Sequence, residues 1–289
     1  IEWDEALRMH NSEGKLVADE TSPFELRLDN NGRYLLMRQP FLDEVDANVP
    51  LYKMDRRKVY LGTGDRNIQY TDRTATPSRA WFTKGTAKEN MENTFVSSVG
   101  NPLHGIYFFF RQRLDAAIRA CNTLSVHKET ENLGLIGCYV VEARNQFASY
   151  TVWISPEHGH SIVQADIEIG PLAEGAFWQT DANERCSYSL RNVQFMWEPR
   201  ENVYVPSAWK LCIKRTREGA ATKTITVVGK LKGIVFDPDH EALGSFVPNM
   251  REGTRITDLT LGMDFVLKDG KLVDSEGWVY DYDTAISGN

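Results

Sequence analysis

The sequence is poor in the groupings that usually announce chemistry. Its four cysteines, Cys121, Cys138, Cys186 and Cys212, include no Cys-x-x-Cys pair, so the clustered ligands of a structural zinc site are missing. A chain this long does not need disulfides to fold, and free thiols are expected. Cys186 and Cys212 are the two most expected on neighbouring strands. Basic residues are outnumbered, 33 Lys and Arg against 40 Asp and Glu, giving a net charge of −7. That balance argues against a nucleic-acid partner, which needs a clustered basic surface. No apolar run is long enough for a membrane-crossing helix. Ile1-Glu-Trp-Asp4 does not read as a signal peptide; a chain opening on Ile1 is expected to continue upstream, and export is compatible with it.

Catalytic signatures are equally scarce. Gly62-Thr-Gly64 lacks the third glycine and following helix of a dinucleotide loop. His240-Glu-Ala-Leu-Gly244 has glycine where a zinc-protease helix needs its second histidine. There is no Gly-x-Ser-x-Gly elbow. Glu157, His158 and His160 share one presumed turn, too few ligands for a metal centre without further support. Asp237 and Asp239, and Asp281 and Asp283, read as turn carboxylates rather than a calcium loop. No catalytic residue, cofactor or metal is assigned.

What the chain has is strands. Phe24–Asp29 and Arg33–Arg38 flank Asn31-Gly32, a strong hairpin signal. Lys58–Leu61 and Asn67–Tyr70 form a second pair. Gly137–Arg144, Tyr150–Ser155 and Ser161–Ile169 follow one another, the last two alternating apolar and polar residues with period two. Apolar parity slips between Leu190 and Val193, which predicts a bulge. Pro206 is expected at a strand start or edge, and the strand from Thr224 is expected to continue toward Phe236. Asp269-Gly270 turns a last hairpin. Trp81, Trp153, Trp178, Trp197 and Trp209 suit either a site lining or the core.

Helix is expected in the middle. Thr86-Ala-Lys-Glu89 has the form of a capping box, followed by Ala87, Met91, Phe95 and Val99 at four-residue spacing. A second helix is predicted over 106–120, with Tyr107, Phe110, Leu114, Ala117 and Ile118 on one face and Arg111, Asp115 and Arg119 on the other. The expected class is mainly β (α+β): a strongly curved antiparallel sheet, an incomplete β-barrel, with helices covering the concave face. The expected division is an irregular segment at 1–22, a half-barrel at 23–240 with a helical lid at about 86–120, and a C-terminal extension with a β-hairpin at 241–289.

The Gly137-Cys-Tyr-Val-Val-Glu-Ala strand leading into Tyr150-Thr-Val-Trp-Ile-Ser-Pro-Glu-His-Gly159 resembles the outer-membrane lipoprotein carrier family, especially its large divergent relatives in planctomycete-type bacteria. Gly32–Leu36, Lys58–Gly62, Asn192–Phe195, Tyr204–Ala208, Phe246–Pro248, Gly253–Ile256 and Lys268–Lys271 extend the resemblance over about 24–275. It implies a half-barrel whose hollow shelters acyl chains in the periplasm.

Three functions stand beside each other at this point. The first is a non-enzymatic protein of the periplasm or cell envelope, holding a lipid, acyl chain or lipidated partner in the sheet's hollow. Its expected lining is Tyr107, Phe110, Leu114, Ile118, Trp153, Val163 and Ile167. The second is a surface or scaffold module with a filled interior, working through protein–protein contacts, another envelope protein or a second copy being the partner. The third is a glycan-directed enzyme, for which no pair of carboxylates stands out.

Overall fold

The computed structural model describes residues 1–10, 13–28, 33–38, 56–63, 66–73, 77–85, 108–109, 112–170, 184–217, 219, 222–243, 246 and 249–281. The expected class is the one observed: almost all regular structure is strand, in a sheet that is largely antiparallel, with a parallel pairing described below, and stays open. The chain divides into two units. One comprises Ile1–Trp3, Ser22–Thr94 and Lys232–Asn289; the other comprises Asp4–Thr21 and Phe95–Leu231.

The first unit is discontinuous in sequence. It contains β3 (Tyr34–Arg38), β4 (Arg56–Thr63), β5 (Arg66–Arg73) and β6 (Arg79–Lys84), each antiparallel to the next. The end of β2 (Leu16–Leu28) pairs with β3, so the hairpin expected around Asn31-Gly32 forms, its turn lying outside the described residues. β17 (Arg255–Asp258) then joins β6 in parallel. β18 (Met263–Lys268), β19 (Lys271–Asp274) and β20 (Val279–Asp281) complete the ladder. Asp269 and Gly270 both take positive φ, 50° and 70°, the backbone that a two-residue hairpin requires. The described residues between 246 and 272 are therefore part of this unit's core rather than a separate extension. Phe246, Met250, Ile256, Phe265, Leu267 and Leu272 share one buried cluster with Leu35, Val59, Leu61, Ile68, Tyr70 and Phe82. Each such side chain contributes roughly 1.5–3 kcal/mol on leaving water, which fastens the tail to the early strands.

The second unit carries the strands that are plainest in sequence. β11 (Ile136–Arg144), β12 (Ala148–Ser155), β13 (Ser161–Ile169), β14 (Glu184–Glu198), β15 (Val203–Arg217) and β16 (Lys223–Gly233) pair consecutively. Residues paired across a ladder share a face, and two apolar rows cross it. One runs through Val152, Ala165, Leu190, Leu211 and Val227, the other through Ala143, Tyr150, Ile167, Tyr188, Ile213 and Ile225, all buried. The parity slip is a bulge: register shifts between Arg191 and Gln194, with Asn192 at φ 55°. Pro206 lies inside β15 rather than at its start, where β14 is paired but the register with β16 has not begun. A missing N–H breaks no second ladder there. β9 (Thr123–Val126) and β10 (Glu131–Leu133) both line the other edge of β11.

Three expectations fail. Residues 1–22 are not irregular: β1 (Glu2–His10) and the start of β2 are strands, and β1 also pairs with β16. Their mixed sequence shows no alternation, and long-range pairing makes the strand. The helix predicted over 106–120 is confined to α1 (Leu114–Arg119), because Phe108–Phe109 (β7) and Gln112–Arg113 (β8) form a small antiparallel pair. Aromatic runs suit strands as well as helices, and a short apolar run does not discriminate. α1 buries Leu114 and Ala117, and its Asp115–Arg119 pair is solvent-exposed and worth little. The third failure is the strand from Thr224, which ends at Gly233, short of Phe236. The helix expected from Thr86 lies outside the described residues.

Candidate functional site

The sequence-predicted hollow divides once placed on the sheet. Val163 and Ile167 face the apolar side of the second unit and are 5% and 1% exposed; Leu114 on α1 is 2% exposed and Ile118 half-buried. The end of α1 reaches the same face as Ile167. Cys121, which donates its thiol to the Ala117 carbonyl, accepts from Asn145 Nδ2 at 3.8 Å. Its charge, when ionised, adds to the burial that pushes the Tyr150 hydroxyl up to about 12. Trp153 does not belong to this group. It stands opposite Gln164 on the reverse face, across from buried Val140, and donates Nε1–H to Glu131 Oε2 at 3.0 Å. Period two separates Trp153 from Val152, and the indole covers a different part of the molecule. Tyr107 and Phe110 lie outside the described residues. The side chains brought to the apolar face are already excluded from water.

The cysteines are all free thiols. Cys186 and Cys212 do lie on adjacent strands, but Cys186 pairs with Arg215 and Cys212 with Ser189, so they project from opposite faces. His158 does not extend toward a metal: Nδ1 is 2.9 Å from Ser155 Oγ, and the ring stacks on Phe195 at 4.6 Å. Among the described residues, no three His, Cys, Asp or Glu side chains gather as metal ligands. Asp239 works as a turn carboxylate, accepting the Ala242 N–H at 2.9 Å.

An open apolar cleft lies in the first unit, away from the hollow expected from the sequence. It encloses about 560 Å³ between the end of β2 and the segment leaving β16, lined chiefly by Leu26, Leu28, Ile234, Val235, Phe236 and Leu243. Leu28, Val235 and Leu243 remain 42%, 71% and 65% exposed, a concentration of unpartnered apolar surface. Asp237 at φ 47°, followed by Pro238, turns the chain sharply after Phe236 and so presents Val235 and Phe236 at the mouth. Glu25 and Arg27 pair with each other at the rim. His240 is one of the polar groups set among these side chains, beside Glu2, Glu25, Arg27 and Asp237. Its Nε2–H donates to the Leu28 carbonyl at 2.8 Å, and Nδ1 is a buried acceptor without a partner among the described residues. The imidazole is held against Phe246 at 4.8 Å, and Phe246 is part of the core. The signal for this site was Ile234-Val-Phe236 directly before Asp-Pro, an apolar run continuing past the end of its strand.

No family model matches the chain, and no curated protein does. Among solved structures, a DUF1329 family protein from Desulfovibrio piger is 9% identical, with a TM-score of 0.39 over 85% of this chain and 91% of that one. A structure described as an outer membrane lipoprotein-sorting protein domain from Vibrio parahaemolyticus is 8% identical, with a TM-score of 0.38 over 84% and 90%. Superpositions this loose are similarities only and establish no family.

Proposed function

We propose that this is a non-enzymatic binding protein of the cell envelope that takes an elongated apolar ligand, an acyl chain of a lipid or lipidated protein, in the cleft beside Leu28, Val235 and Leu243. The observation that carries this reading is the cleft itself: about 560 Å³, within the usual size of ligand pockets, with large apolar side chains left exposed around it. His240 Nδ1, without a partner among the described residues, suits a hydroxyl or carboxylic acid at the polar end of such a ligand. The resemblance of the Gly137–Ile169 region to lipoprotein carriers supports the envelope setting. The ligand site is thereby moved from the hollow expected in the second unit to the first.

Native mass spectrometry of the purified chain, followed by displacement of a fluorescent fatty acid, tests the reading. Co-purified lipid or saturable fatty-acid binding is expected, weakened at least tenfold by Val235→Asp or Leu243→Asp. Both positions are exposed, so folding should be preserved. Absence of binding in the wild type, or equal binding in both variants, would reject it.

A second reading draws on a different place. Leu124, Val126 and Tyr139 are 55%, 58% and 44% exposed on β9 and β11, at one edge of the second unit's ladder. Exposed apolar residues on an edge strand favour contact with another protein.

A further inference from the structure

The first unit has another cleft, of about 370 Å³, on the face of β6, β17 and β18 opposite the shared core. It is created by the parallel β6–β17 pairing, which sets Arg255 opposite Arg79 and Thr257 opposite Trp81. Paired residues project from the same face of strands about 4.8 Å apart, so two guanidinium groups start side by side. Both are exposed, and among the described residues neither side chain has an ion-pair or hydrogen-bond partner. Like charges directly opposite one another destabilise a sheet, and among the described residues no ion pair offsets this contact.

The surroundings give the pair a use. Trp81 lies two residues along from Arg79 on the same face and is half-buried, its indole forming part of the cleft wall. Across Thr257 from Trp81, on β18, is Asp264, whose Oδ1 accepts the Thr257 hydroxyl at 2.7 Å, which fixes the carboxylate and leaves its other oxygen as an acceptor. Asp274 also lines the cleft, but it is occupied. Its Oδ1 accepts the N–H groups of Glu276 and Trp278 at 2.9 Å, and its Oδ2 accepts the Tyr280 hydroxyl at 3.3 Å. The cleft thus sets the arginine pair beside a row formed by Trp81, Thr257 and Asp264, with an aromatic wall on one side and a carboxylate acceptor on the other.

We propose that this cleft binds an acidic sugar, a hydroxylated ring carrying a carboxylate or phosphate. Its anion lies on Arg79 and Arg255, its ring on Trp81, and one of its hydroxyls donates to Asp264. Planar guanidinium groups match an oxyanion through parallel N–H bonds. A fixed carboxylate diagonal to Arg255 accepts from hydroxyls and repels a polyanion, which favours a single acidic ring over a nucleic acid. The site is distinct from the apolar cleft and stands without it.

The test is calorimetric titration of the full chain with glucuronic acid, glucose 6-phosphate and glucose, in the wild type and in Arg79→Gln, Arg255→Gln, Trp81→Leu and Trp197→Leu. Binding of at least one acidic sugar is expected, with glucose at least tenfold weaker; the tighter of the two acids names the anion. Each arginine variant and Trp81→Leu should lose at least tenfold in affinity, while Trp197→Leu, in the other unit, should bind as the wild type does. The arginine variants should melt no lower than the wild type, since each removes a like-charge contact. Acidic sugars binding no better than glucose, arginine variants binding like the wild type, or both arginine variants melting lower would overturn the proposal.

Discussion

Gly229 stands directly opposite Trp209 in the β15–β16 ladder, and the space a methyl group would need on Gly229 is filled by the six-membered ring of that indole. Trp209 is only 2% exposed, so the ring has no room to retreat. Tyr34 covers Gly62 in the same manner in the first unit. In both cases glycine is required for space rather than for its backbone freedom.

Gly229→Ala is therefore expected to destabilise the protein by about 1–3 kcal/mol through overpacking. A lower urea midpoint with an unchanged slope is the measurement. In a Trp209→Ala background the same substitution should cost little, so the two effects should be strongly coupled.

Tyr150 supplies a pH dependence. Burial first, and then the neighbouring Cys121, raise its hydroxyl from 10.0 to about 12. Below pH 10 the folded and unfolded chains both keep the proton. Between about pH 10 and 12 the unfolded chain releases it and the folded chain does not, so stability falls as pH rises, by up to ~1.4 kcal/mol per pH unit. Tyr150→Phe should lack this component, and urea midpoints for both proteins at pH 9 and pH 11.5 would reveal it.

Trp153 and Val163 lie on opposite faces of the β12–β13 pair. Trp153→Ala and Val163→Ala should therefore add within about 0.5 kcal/mol in a double-mutant cycle. A coupling above about 1 kcal/mol would place them on one face and restore the hollow drawn from sequence.

The thiols give a chemical check. Intact mass should be the same with and without reductant, and all four cysteines should alkylate after denaturation. In the native protein Cys138, fully buried, and Cys186, 3% exposed, should react slowest. Burial, with Glu157 and Glu131 nearby, also pushes the Cys138 thiol up and lowers its thiolate fraction.

What was legible in the sequence was local. Alternation marked β12 and β13, Asp269-Gly270 marked a hairpin, and the slip before Val193 marked a bulge, because each is written within ten residues. β1 was missed since Glu2–His10 has no alternating pattern and becomes a strand through partners far along the chain. The rings at Phe108 and Phe109 suit a helix face and a hairpin equally, and the backbone took the hairpin. The apolar cleft has only the short run Ile234-Val-Phe236 as a local signal, and the cleft beside Trp81 has none. Leu28 meets Val235, and Arg79 meets Arg255, only through pairings that span most of the chain.

The parallel junction of β6 with β17 has a consequence for synthesis. On the ribosome, β6 emerges long before its partner, and the residues between Lys84 and Arg255 take about 10–35 s to make at roughly 5–20 residues per second. Throughout that interval the nascent early strands present a bare edge, and Ala80 and Phe82 lack the Ile256 and Phe265 that will later cover them. Strands made early are thus completed by residues made about 170 positions later, so a nonsense codon anywhere between Lys84 and Arg255 would leave β6 without its parallel neighbour.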